Sequence, residues 1–212
     1  MTSTSLRARF DAAMNTLPLI AILRGVRPDE VDAIGATLHA AGFRLVEVPL
    51  NSPQPFDSIA RLRRSLPADT LVGAGTVLAR DAVARVRDAG GELAVMPHAD
   101  VEVIAAAKAA GLVCVPGIAT PTEAFAALRA GADALKLFPA QMLTPTVLKA
   151  LRAVLPRDVM LLPVGGITPV NMQAYRDAGA SGFGLGSALY SPGTTAEDVA
   201  RRAQAFVEAW RL

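Results

Sequence analysis

Residues 120–138, TPTEAFAALRAGADALKLF, carry the reading of the fold. Thr120 followed by Pro121 marks a helix start. The hydroxyl caps free backbone N–H groups, and the fixed φ of proline suits the first helical position. An alanine-rich stretch follows and stops at Ala130-Gly131. Glycine takes a positive φ without a Cβ penalty, so it fits the position just past a helix end. The run from Ala134 to Phe138 is then a strand. Working outward, the same Ala-Gly mark precedes an apolar run at Gly42, Gly90, Gly111 and Gly179. The marked glycines lie 48, 21, 20 and 48 residues apart, so each long gap holds two units.

Filling those gaps predicts eight strands, starting near Leu19, Arg44, Leu71, Leu93, Val113, Ala134, Met160 and Gly182. A helix follows each. Pro28-Asp29-Glu30 and Thr168-Pro169 give further helix starts. Cores such as LIAIL, LVEV and VMLLPV are almost wholly apolar, as in strands buried on both faces. Alternating units without a linker call for a parallel sheet with right-handed crossovers. The predicted architecture is a single (β/α)8 TIM barrel domain over residues 1–212, preceded by an N-terminal helix. Leu6, Phe10, Ala13, Met14 and Leu17 would form the apolar side of that helix. A doubly wound open sheet is the alternative.

Composition narrows the function. The 212 residues carry 21 basic and 19 acidic side chains, and aromatics are 5%. With scattered arginines and few stacking platforms, no nucleic-acid partner is expected. No apolar run approaches membrane-span length, so no membrane insertion is expected. The N-terminus MTSTSLRARFDAAMNTL lacks the apolar segment of a secretory signal. A transit peptide is its alternative reading, and the expected compartment is the cytoplasm. One cysteine, Cys114, permits no intrachain disulfide and reads as inert packing. No Asp, Glu or His set offers three ligands at metal spacing, so no metal and no cofactor are called for.

In a parallel barrel the chemistry gathers at the C-terminal strand ends. Polar residues there are the candidates. Lys136 lies between leucines in the sixth strand. Burial disfavours its charge and lowers its pKa, which frees the amine as a nucleophile. Glu47 interrupts the second strand and can move protons beside that amine. An internal Lys–Glu ion pair is the alternative for both. Lys108 and Lys149, the other two lysines, fall on polar helix faces and read as solvated. Gly165-Gly166 and Gly186-Ser187 follow the seventh and eighth strands, where backbone N–H groups at helix starts can bind phosphate. Arg24 ends the first strand and can fork onto a carboxylate, or pair with Asp29 at the rim. His98 follows the fourth strand and could touch substrate, whereas His39 lies on a helix.

Together, Pro18–Gly25, Glu47–Pro53, Gly73–Thr76, Lys136–Pro139, Val164–Ile167 and Gly184–Ser187 resemble the 2-keto-3-deoxy-6-phosphogluconate/galactonate aldolases. The resemblance runs from about Leu17 to the C-terminus. It implies a class I aldolase on a (β/α)8 barrel, assembled as a homotrimer, acting on a small phosphorylated keto acid. Lys136 would form the Schiff base and Glu47 act as general acid/base. Arg24 and Thr76 would contact the keto-acid end, and Gly165, Gly166, Gly186 and Ser187 the phosphate. Gluconate-type members carry an Arg four residues after the glutamate and a Thr before the glycine pair. Asn51 and Val164 stand there instead, which points to the 6-phosphogalactonate branch. A non-covalent phosphosugar epimerase or isomerase and a non-catalytic sugar-phosphate sensor are the rival readings.

Overall fold

The computed structural model describes residues 5–212. Met1–Thr4, which belong to the stretch weighed as a transit peptide, lie outside the described residues. The first half of the chain runs α1 (Leu6–Thr16), β1 (Leu19–Ile22), α2 (Val31–Ala40), β2 (Leu45–Pro49), α3 (Pro55–Ser65), β3 (Leu71–Gly75), α4 (Arg80–Asp88), β4 (Leu93–Val95) and α5 (Val101–Ala109). The second half runs β5 (Val113–Val115), β6 (Gly117–Ile118), α6 (Pro121–Arg129), β7 (Leu135–Leu137), α7 (Pro145–Arg152), β8 (Leu161–Pro163), α8 (Met172–Asp177), β9 (Phe183–Leu185) and α9 (Ala196–Arg211).

Each expected strand is present and starts within one residue of its predicted position. The fifth is divided into β5 and β6 at Pro116, which has no N–H to give a ladder. All pairings are parallel, in two sheets ordered β5-β4-β3-β2-β1-β9 and β6-β7-β8. A single parallel bridge, Val164 to Gly184, joins the segment after β8 to β9. The structure is thus a parallel α/β fold of barrel-like order whose ladder lies in two segments.

The helix-start readings hold in part. Thr120 caps α6 in a full capping box with Glu123. After β1, the helix starts only at Val31, beyond Pro28-Asp29-Glu30. After β8 it starts only at Met172. There, Asn171 Oδ1 accepts from Thr168 N–H at 2.9 Å and holds the intervening residues in turns.

Two apolar clusters flank the strands. The outer one fills the space between strands and helices. The inner one joins Ile20, Leu45, Leu71, Leu93, Val113 and Leu162 to Phe10 and Met14 of α1. The N-terminal helix therefore covers the inner face at the N-terminal ends of the strands. Arg9 reinforces it by pairing with Glu92, which Arg63 also contacts at 2.9 Å. No helix among the described residues is long and apolar enough to cross a membrane.

Candidate active site

Strand register puts the two candidate catalytic groups on the inner face. Glu47 lies two residues past Leu45, an inner residue, and side chains two apart share a face. Lys136 sits opposite Leu162, also an inner residue. Both are buried, Glu47 with 1% and Lys136 with 5% of its surface exposed.

Burial dominates the electrostatics of the pair. It pushes the Glu47 carboxyl up to about 7, against the opposing pull of Lys136 and Arg24. It lowers the Lys136 ammonium, which Glu47 partly offsets and Arg24 assists. Both shifts favour the neutral forms. No contact within 4.0 Å makes the two an ion pair, and Glu47 Oε2 is buried without a hydrogen-bond partner. The Lys136 ammonium instead lies 4.6 Å from the centre of the Phe138 ring.

Lys136 opens into a cavity of about 640 Å3, within the range that holds small ligands. Arg24, Val164, Gly165 and Gly166 also line it, as do Gly186 and Ser187. Glu47 lies outside the lining set. So does Thr76, although it follows β3 with a φ of +56°. That conformation is strained for a β-branched residue, and such strain concentrates at functional sites.

The glycine loops differ from the sequence expectation. Gly165 and Gly166 do sit on the cavity, with φ of +108° and +68°. They are not at a helix start, because α8 begins six residues after Gly166. Gly186 opens one isolated turn, its carbonyl accepting from Leu189 and Tyr190 N–H. Any anion here is met by loop backbone, not by a helix end.

Arg24 does not pair with Asp29, which is held by Arg27 at 3.1 Å. The Arg24 guanidinium donates to Asn51 Oδ1 at 2.9 Å. A neutral partner orients the guanidinium and leaves its charge for a carboxylate. Gly25 N–H next to it donates to Ser52 Oγ at 2.9 Å. These two bonds tie the loop after β1 to the loop after β2.

His98 stands away from the cavity lining, with a buried and unpartnered Nδ1. His39 Nδ1 lies 2.9 Å from Thr70 Oγ1, a contact between helix and strand end. Lys149 is exposed. Lys108 is not simply solvated, since it pairs with Asp133 at 2.5 Å. Burial pushes the Cys114 thiol up to about 12, as inert packing requires. Among the described residues no cluster of three or more His, Cys, Asp or Glu side chains could hold a metal ion.

Sequence reading missed Gln141. Oriented by its hydrogen-bond partners, its amide donates to Gly165 O at 3.3 Å and accepts from Gly166 N at 3.2 Å. An anion reaching Gly166 N–H takes the place of that amide. The signal was available, because Gln141 is the next polar residue after Lys136 on the cavity side. It missed Tyr190 too, which lines the cavity and whose hydroxyl donates to Glu30 at 2.9 Å.

Comparison with known proteins agrees with the class of enzyme that this arrangement suggests. Residues 10–205 match the family of KDPG and KHG aldolases, and the chain belongs to that family. It is 50% identical over 196 residues to the 2-dehydro-3-deoxy-6-phosphogalactonate aldolase of Escherichia coli K12, covering 92% of this chain and 95% of that one. It is 49% identical over 193 residues to the "Probable 2-dehydro-3-deoxy-6-phosphogalactonate aldolase" of Rhizobium meliloti strain 1021, covering 91% of each. A solved structure described as native KDPGal superposes with a TM-score of 0.90 at 49% identity, covering 92% of this chain and 95% of that one.

Proposed function

We propose that this chain is a class I aldolase that cleaves 2-dehydro-3-deoxy-6-phospho-D-galactonate to pyruvate and D-glyceraldehyde 3-phosphate. One observation carries the reading. A buried amine of lowered pKa shares the inner face with a buried carboxylate raised to about 7, and the amine opens into a glycine-walled cavity. Both relatives above are named for this substrate.

The chemistry follows from those groups. Neutral Lys136 Nζ attacks the C2 ketone, and Glu47 supplies the proton with which water leaves. The resulting iminium is an electron sink. Glu47, now ionised, takes the C4 hydroxyl proton, the C3–C4 bond breaks into the iminium, and glyceraldehyde 3-phosphate departs. The pyruvate enamine is protonated at C3, and water releases it from Lys136. A carboxyl with a pKa near 7 is suited to give and take that proton in turn. Arg24 and Thr76 hold the keto-acid end, and Gly165, Gly166, Gly186 and Ser187 the phosphate.

Val164 stands on the cavity wall between the two sheet segments. One side-chain contact of this size discriminates by about 1–3 kcal/mol. Turnover of the two C4-epimeric 6-phospho acids is therefore expected to favour the galactonate form by about 10- to 200-fold, with measurable cleavage of the other. A preference for the gluconate epimer overturns the substrate assignment.

The phosphate role is tested at Gly166. Gly166→Ala places a Cβ 3.0 Å from the Gln141 side chain at a positive φ. The strain costs about 1–2 kcal/mol. Displacing the Gly166 N–H, a charge-assisted backbone donor to the phosphate, is expected to raise KM for the phosphorylated substrate by roughly 10-fold or more. Capture of unphosphorylated pyruvate should be unchanged.

The same reading completes the architecture as one closed (β/α)8 barrel domain. The Val164–Gly184 bridge supports it, as does the one-residue gap between β5 and β6. Homotrimer formation goes with it. Met142 after β7 and Val170 after β8 expose apolar surface near the cavity end. Light scattering should report three times the 22.0 kDa chain mass. A charged phosphorylated substrate does not cross a membrane unaided, which supports a reaction in the cytoplasm.

A further inference from the structure

We propose that Gly75 is a positioning residue whose absent side chain provides the seat of the Glu47 carboxylate. The proposal rests on the reading of Glu47 as general acid/base.

Gly73 and Gly75 follow Leu71 on the inner face of β3, and Glu47 on β2 is paired in register with Gly73. Two adjacent inner positions therefore carry no side chain beside the carboxylate, but only one of the two gaps is available. A Cβ on Gly73 would lie 2.3 Å from the Leu93 carbonyl oxygen and 2.6 Å from its amide nitrogen, so the backbone of β4 fills that space. A Cβ on Gly75 would lie 1.7 Å from Glu47 Oε2 and 2.4 Å from Oε1. The carboxylate thus occupies the volume that any other residue at position 75 would claim. With Leu93 closing the Gly73 gap, it has no equivalent seat along β3.

What must yield decides the consequence. The β3 backbone is held by pairing on both sides, and Gly75 O accepts from Leu50 N–H at 2.8 Å. The far end of the Glu47 side chain is the movable part. An added methyl therefore displaces the acid/base and leaves the fold in place. The charged groups that face the carboxylate are Lys136 on β7 and Arg24 after β1. Burial is what raises the carboxyl, and positive charge on either group lowers it, so a carboxylate moved out of its dry seat titrates lower.

The test compares Gly75→Ala, Glu47→Asp and the double variant with the wild type. The readouts are kcat, its pH profile, thermal stability, and pyruvate capture on Lys136 by borohydride after long incubation. In Gly75→Ala, kcat is expected to fall about 10²-fold, with capture and stability retained. The limb of the pH profile near 7 is expected to move down by about one unit. Aspartate is one methylene shorter and vacates the seat. In the Glu47→Asp background, Gly75→Ala should therefore change kcat by no more than about twofold.

Wild-type kcat and pH profile in Gly75→Ala overturn the proposal. So does an equal loss in both backgrounds, since the methyl then acts through something other than the carboxylate. Should Gly75→Ala fail to fold, the double variant decides. Recovery of folding supports the shared seat, and continued failure overturns it. Wild-type enzyme that captures no pyruvate instead overturns the Schiff-base reading.

Discussion

Lys136→Arg is expected to lose cleavage activity by at least ~10⁴-fold, because a guanidinium cannot act as a neutral amine nucleophile. The substitution keeps a positive charge near Glu47. A role for Lys136 as a fixed cation or ion-pair partner therefore predicts substantial residual turnover. A steady-state assay coupled to pyruvate release distinguishes the two. Retention of more than about a tenth of wild-type kcat sinks the covalent role, since a nucleophile's contribution is far larger.

Glu47→Gln is the second large effect. The amide fills the same seat but has no group that titrates near neutrality. Loss of general acid–base assistance is expected to lower kcat by about 10²–10⁴-fold. The limb of the pH profile near 7 should disappear with it. Stability should move the other way. Folded Glu47 holds its proton up to about 7, whereas an ordinary carboxyl releases it near 4.5. Between those values the folded chain binds more protons than the unfolded one. Stability therefore falls as pH rises through that window, and the loss persists above it. Glu47→Gln removes this penalty, so its melting temperature at pH 8 should exceed that of the wild type. A lower melting temperature at pH 8 contradicts the burial cost assigned to the carboxylate.

The two predictions together describe a site that trades stability for reactivity. An ammonium and a carboxylate share the inner face of a parallel sheet, where charge is disfavoured. Neither is relieved by a close ion pair. The strain in ionisation makes one a usable amine and the other a proton carrier near neutral pH. A surface Lys–Glu pair would do neither.

The strands were legible because both their faces are buried, which writes them as apolar runs between glycine-terminated helices. Lys136 and Glu47 were legible for the same reason, as charges where no solvent is expected. The break at Pro116 was visible as a residue, but its division of the ladder depends on which neighbour lacks an N–H partner. Helix starts after β1 and β8 were misplaced because Thr168-Pro169 and Pro28-Asp29 serve equally as turn residues.

The tertiary relations of the site were not legible in one dimension. The Arg24–Asn51 bond crosses 27 residues, and the Gln141 amide meets Gly165 and Gly166 from another loop. Gly75 reads as strand filler until the carboxylate beside it is seen. Thr76 carries the strain that follows that glycine, and no pattern in sequence announces a positive φ at a threonine.

The central claim is that Lys136 becomes covalently bonded to the keto acid. Borohydride reduction of the wild-type protein at saturating pyruvate, followed by peptide mass analysis, tests it at one atom. A stable increment of one reduced pyruvate on the peptide containing Lys136 is the predicted result, and no increment there contradicts the covalent mechanism.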